Sequence, residues 1–164
     1  MTTGQPGLLG IYLNDHLAGA TGGVELARRS AAAQRSGQAR DVLRRLTAEI
    51  TEDRTALMEI MAALGVPPRR YKVWAGWVGE KAGRLKPNGH LLSRSPLSEL
   101  EELEIMMLGV QGKAAGWRTL RSLATEDKRL DAGRLDDLLA RAHRQVEELE
   151  GLHAIAANHV FRSG

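Results

Sequence analysis

The chain reads as an all-α fold: four long antiparallel helices in one bundle, with a short fifth helix in the connection between the second and third. Three observations carry this reading. Leu and Ala dominate the apolar residues, aromatics are 4% of the chain, and Phe161 is its single phenylalanine. Leu, Ala, Glu and Arg favour helix, whereas strands draw on β-branched and aromatic side chains. Apolar residues recur every three or four positions along four long stretches. Helix breakers separate those stretches: Ser36-Gly37, Gly65-Val66-Pro67-Pro68 and the polar run Thr125-Glu126-Asp127-Lys128.

The first helix is expected from Leu8 to Ala33, with Leu9, Leu13, Leu17, Ala20, Val24 and Ala27 on one face. Ser36 is placed to cap the second helix, whose face is Leu43, Leu46, Ile50, Leu57, Met61 and Leu64. Gly65 followed by two prolines stops it. Ser95-Pro96 opens the third, a capping residue with proline at the first helical position. Its inward residues are read as Leu97, Leu100, Met107 and Ala114, and it fades near Ala124. Asp131 is placed to cap the last helix, which carries Leu135, Leu138, Ala142, Leu149, Ala156 and Val160. Each helix spans roughly 26 to 30 residues, about 40 Å.

Residues 66–95 are too many for a structureless link in a compact domain. Tyr71 to Leu85 reads as the short fifth helix, closed by Pro87-Asn88-Gly89. The whole chain, 1–164, is expected to form one domain.

Composition removes several classes of function. There is no cysteine, so disulfides, thiolate metal sites and thiol catalysis are out. A reducing compartment, the cytoplasm, is the expected setting. The start, MTTGQPGLLG, lacks the pattern of a secretory signal, and no run of about 18 apolar residues exists to span a membrane. No serine is placed with a base, no phosphate loop follows a strand, and no zinc-type histidine pair is present.

Glycines mark a second surface. Gly19, Gly22 and Gly23 fall inside the first helix, and Gly109, Gly112 and Gly116 inside the third. Each costs about 1 kcal/mol relative to Ala in a helix interior. Close approach of another helix would offset that, from the fifth helix or from a second subunit. These six positions are therefore the expected interface, and a homo-oligomer the expected state.

A polar constellation accompanies the core. His153 and Glu150 form a Glu-x-x-His at the edge of the last helix's apolar face. Asp53 lies between Ile50 and Leu57, Glu104 beside Leu100 and Met107, and His16 between Leu13 and Leu17. Inward carboxylates and histidines from four helices are the ligand set of a two-metal site. In this, and in helix number, helix length and the long middle connection, the chain resembles the ferritin-like superfamily. The resemblance implies a di-iron or manganese site built from His16, Asp53, Glu104, Glu150 and His153. The sequence departs from that pattern, because Glu49 is followed at plus three by Glu52 and His16 stands where a glutamate belongs. The path of the connection matters here. An up-down-up-down chain puts all five groups in one layer, whereas a connection crossing the bundle separates two pairs by on the order of 15 to 20 Å. The alternative without an ion is pairing among neighbours: Arg118 shares the third helix's inner face and Arg54 lies near Asp53, so Asp–Arg and Glu–His pairs would satisfy these groups.

The basic charge is concentrated in the connection. Residues 66–96 carry seven basic groups against Glu80 alone. Arg69, Arg70, Lys72, Lys81, Arg84 and Lys86 accompany Tyr71, Trp74 and Trp77, a mixture that suits phosphates and stacked bases or an anionic membrane surface. The competing reading is that Trp74, Trp77 and Val78 anchor the short helix while Lys and Arg stay in water. A second basic group, Arg28, Arg29, Arg35, Arg40, Arg44 and Arg45, surrounds the first turn.

The sequence therefore favours a non-catalytic, self-associating bundle that acts through its surfaces and needs no cofactor. Metal binding and anion binding through the connector stand as alternatives.

Overall fold

The computed structural model describes residues 7–69 and 95–162. Four helices account for nearly all of them: α1, Leu8–Ala33; α2, Gly37–Ala63; α3, Pro96–Leu123; and α4, Ala132–Arg162. No strand occurs among the described residues. The short fifth helix expected at Tyr71–Leu85 lies outside them.

The boundaries follow the capping chemistry. Ser36 Oγ accepts from the Ala39 N–H at 3.4 Å, and Ser95 Oγ from the Leu97 N–H at 3.2 Å with Pro96 in the first turn. Asp131 Oδ1 takes the Arg134 N–H at 3.0 Å. At the end of α2 the chain reverses through Gly65, whose φ of 71° is open to glycine without strain. The Val66 N–H then returns to the Met61 carbonyl at 2.8 Å, the bond of a Schellman close, and Val66 packs on the core.

The contacting pairs are α1 with α2, α3 with α4, α1 with α3, and α2 with α4. The helices thus form a ring in the order α1, α2, α4, α3. Cross-helix bonds give their directions. Tyr12 meets Thr119, Ser30 meets Glu102 and Gln34 meets Glu99, so α1 rises as α3 falls. Arg45 meets Glu148, Arg141 meets Glu52, and Arg134 meets Glu59, so α2 and α4 are likewise opposed. Arg129, in the α3–α4 turn, donates to the Leu64 carbonyl at the end of α2. The end of α2 therefore lies beside the end of α3, while α3 begins at the other end of the bundle, next to Gln34. Arg69, held by Asn14, and Ser95, close to Gln34, therefore lie at opposite ends of the bundle, which is the second of the two topologies open from sequence.

The core is built from the apolar faces. Leu13, Leu17, Val24 and Ala27 of α1 are buried, as are all six residues read for α2. Leu135, Leu138, Ala142, Leu149 and Ala156 come from α4. On α3 the inward stripe is Leu100, Leu103, Met106, Val110, Ala114, Trp117 and Leu120. Leu97 is not part of it and stays 45% exposed. It shares its helical phase with Glu104 and Gln111, which also face out. Fully burying one such Leu is worth roughly 1.5–3 kcal/mol, so these stripes hold the four helices together.

Candidate functional site

Two places in the bundle depart from an apolar core with a solvated surface. One is polar and inside; the other is uncharged and outside.

The inner one centres on Asp53, 1% exposed, and Gln145, fully buried. Asp53 is held on the core face of α2 by the helical phase of Ile50 and Leu57. Gln145 sits on the stripe of α4 between Ala142 and Leu149. Lys113 of α3 reaches between them: its Nζ lies 2.5 Å from Asp53 Oδ2 and 2.5 Å from Gln145 Oε1. Gln145 Nε2 donates to Glu49 Oε2 at 3.0 Å and to Asp53 Oδ2 at 3.2 Å. Arg141 closes the outer side, its guanidinium 2.5 Å from Asp53 Oδ1 and 2.9 Å from Glu52 Oε2. The contact to Oδ1 is an ion pair by distance but lacks hydrogen-bond alignment. Oδ1 and Arg141 Nε are left without a hydrogen-bond partner. Burial pushes the Lys113 ammonium below its usual 10.5, against the opposing pull of Asp53. The network ties α2, α3 and α4 at one level.

The arrangement does not fit a di-metal centre. A cation would have to sit against the Asp53 carboxylate, and the Lys113 ammonium already does. His16 turns toward α3, where its ring stacks edge-on with Tyr12 at 4.5 Å and crowds Gly116. Burial also lowers the His16 pKa below 6.5, with Asp15 pulling the other way. Glu104 pairs instead with His153, whose Nε2 lies 3.0 Å from Oε1. Glu104 is nine residues before Lys113 on α3, about 13 Å along the axis. Glu150 is exposed. The five candidate ligands therefore do not converge, and no group of three or more His, Asp or Glu among the described residues is arranged to hold a metal.

Sequence reasoning named Asp–Arg and Glu–His pairs, and both types occur, as Asp53 with Arg141 and Glu104 with His153, but the arginine it named for Asp53 was another. Arg54 donates to Thr21 Oγ1 at 2.9 Å, and Arg118 is exposed. Gln145 was legible, because it interrupts the Leu138–Ala142–Leu149 stripe. Lys113 was harder to see: its stem lets a residue at the edge of the face carry its charge inward. Asn14 also escaped the reading. It is buried on α1, donates to the Gly10 carbonyl at 2.8 Å and the Pro67 carbonyl at 3.2 Å, and accepts the Arg69 N–H at 2.6 Å. It thereby clasps the start of the connection.

The outer place is the exposed side of α3 and the groove it shares with α1. From Ile105 to Trp117 the only charge on α3 is Lys113, which is turned inward. Leu108 is left 68% exposed and Ile105 42%. Between His16 and Glu25, α1 carries no charge either. At Gly19, Gly23, Gly109 and Gly112 an added Cβ would meet no described atom within 4 Å. Gly22 is half-buried on the same stretch of α1. Gly116 differs: a Cβ there would stand 3.0 Å from His16 Cε1, so the close approach expected at this glycine comes from α1 itself.

The opposite groove, between α2 and α4, has another chemistry. Its open space of about 640 Å³ is lined by Glu52, Glu59, Arg134, Asp137, Arg141 and Arg144, largely paired across it. A cleft of about 450 Å³ lies at the end of the bundle where α3 begins, with Leu43, Leu103 and Ala156 in its wall and Glu99 and Glu102 beside it. Of the anion-binding candidates, Arg69 is exposed beside Asn14; Arg70, Lys72, Lys81, Arg84 and Lys86 lie outside the described residues. No helix of the described residues is long and apolar enough to cross a membrane.

No family model, no curated protein and no solved structure matches this chain.

Proposed function

We propose that this protein is a non-catalytic helical bundle that works by self-association, through the outward side of α3. The observation that supports this is the uncharged stretch around Leu108. A surface helix normally turns charged residues to water. Here Ile105, Leu108, Gly109 and Gly112 face outward with no charged side chain among them. Exposed glycines allow a second helix to approach closely, and Leu108 supplies the apolar ridge. A two-fold pairing of α3 with a second α3 is the simplest closed arrangement.

The inner network supports a structural rather than catalytic reading. Its charges are spent on one another, and Lys113 is only 14% exposed at its side chain. A buried ionic cluster of this kind contributes registry between helices more than net stability.

The test is a Leu108→Glu variant, which touches an exposed position and leaves the core alone. Wild-type protein is expected to sediment at about twice its 17.9 kDa chain mass, and the variant at the single-chain mass. An unchanged dimer in the variant would place the interface elsewhere. A monomeric wild type would remove the proposal.

A further inference from the structure

We propose that the outer side of the α1–α2 turn, lined with arginines, docks on the phosphate backbone of a nucleic-acid duplex without reading its sequence. The surface lies apart from the uncharged side of α3, and the inference does not depend on self-association.

The charge is concentrated along the chain. Residues 28–45 hold six arginines, Arg28, Arg29, Arg35, Arg40, Arg44 and Arg45, no lysine, and one acid, Asp41. The turn between Ala33 and Gly37 brings both halves of this run to one end of the bundle, within about 12 Å of the turn along the helix axes. Helical phase then gathers most of the arginines on one seam. Arg28 is two turns beyond Thr21, which meets α2 through Arg54 at 2.9 Å, so Arg28 faces α2. From α2, Arg40 reaches back to the Gln34 carbonyl at 2.8 Å, and Arg44 follows one turn later. Arg29 stands next to Arg28, and Arg35 is in the turn itself; both are exposed, as is Arg44. Arg45 turns away, to Glu148 of α4. Nearby acids neutralise little of this charge. Glu25 pairs with Arg28, whose side chain is still 61% exposed. Arg29, Arg35 and Arg44 have no ion pair among the described residues.

The chemistry of the surface selects the partner. Guanidinium groups bind phosphate oxygens in bidentate pairs, and a run of arginine without lysine suits that partner. From Leu13 to Arg70 the sequence contains no aromatic residue, so the surface offers no platform on which unpaired bases could stack. No large apolar side chain is exposed between Ile11 and Met58, so nothing here would anchor among acyl chains. The phosphates of a duplex, closely spaced along a stiff axis, are the matching anionic surface.

Fluorescence anisotropy with a labelled duplex of about 20 base pairs, across about 20 to 200 mM salt, tests this in the full-length chain. Three phosphate contacts predict that log Kd rises with log salt at a slope of about 2.7, with similar affinity for unrelated sequences. Arg29→Gln/Arg35→Gln/Arg44→Gln should weaken binding at low salt by at least about tenfold and flatten the slope. Its helical circular dichroism should not change, because all three side chains are exposed. Arg44→Gln alone should lower the slope by about 1. Arg118→Gln/Arg144→Gln, which removes exposed charge elsewhere, should bind as wild type does. No duplex binding by the wild type at about 20 mM salt would overturn the proposal. A triple variant that binds as tightly as wild type would also overturn it. Equal loss in the Arg118/Arg144 control would do the same, since net charge rather than this surface would then set the affinity. Tighter binding to single strands of the same length, or to phosphatidylserine vesicles, would overturn it in favour of another anionic surface.

Discussion

Lys113 gives the sharpest energetic prediction. Lys113→Met keeps the length of the stem and removes the ammonium. Asp53, 1% exposed, would then retain only Arg141 and the Gln145 amide around its carboxylate. Breaking a buried pair from one side costs about 3–5 kcal/mol, because the remaining charge stays in a poorly solvating interior. Arg141 keeps partial compensation, so the lower end, about 3 kcal/mol, is expected. Asp53→Leu alone should cost a similar amount, since it strands the Lys113 ammonium against Gln145. The double variant Asp53→Leu/Lys113→Met removes both charges and fills the space with apolar atoms. It should lie within about 1 kcal/mol of wild type, giving a coupling of about 5 kcal/mol or more. Urea unfolding followed by circular dichroism measures all four proteins; 1 kcal/mol corresponds to a shift of about 2–4 °C in Tm at this size. Additive single effects would refute the reasoning, as would a Lys113→Met variant as stable as wild type.

Other predictions follow from α1. Gly116→Ala should destabilise by about 1 kcal/mol, because crowding against the His16 ring outweighs the gain in helix propensity. In a His16→Ala background the same change should stabilise, and thermal melts would reveal the reversal of sign. His16 itself titrates lower in the folded chain than its usual 6.5 because burial disfavours the imidazolium. The unfolded chain therefore takes up this proton first, so the stability contributed by His16 is present above pH 6.5 and declines as pH falls through the folded pKa. A His16→Gln variant should show a flatter stability–pH curve below 6.5. Asn14→Ala should cost about 1–3 kcal/mol, through the stranded Arg69 N–H and the lost bonds to Gly10 and Pro67, and should speed amide exchange at Arg69.

How far the sequence could be read depended on which force fixed each feature. Helix ends were legible because caps are local: Ser36, Ser95, Asp131 and Gly65 act on backbone atoms within a few residues. The apolar stripes of α1, α2 and α4 were legible because periodicity maps directly onto burial. On α3 the signal was weaker, since apolar residues and glycines surround the helix and no face stands out. Leu97 was therefore placed inside and Leu103, Met106 and Val110 were missed. The candidate metal residues do not converge, for a long-range reason. Helical phase gives each side chain's direction, but its height relative to another hairpin depends on the path of the connection. That path separates Asp53 from Glu104 and leaves each with a partner of its own. Lys113 could not be assigned without knowing that α3 sets its stem opposite both Asp53 and Gln145.

The central claim is that the uncharged side of α3 exists to meet a second copy of the chain. Sedimentation equilibrium of the wild-type protein from about 1 to 100 μM tests it most directly, at affinities typical of specific association. The account predicts a single-chain-to-dimer transition or a stable dimer near twice 17.9 kDa. A mass of one chain throughout that range would contradict it.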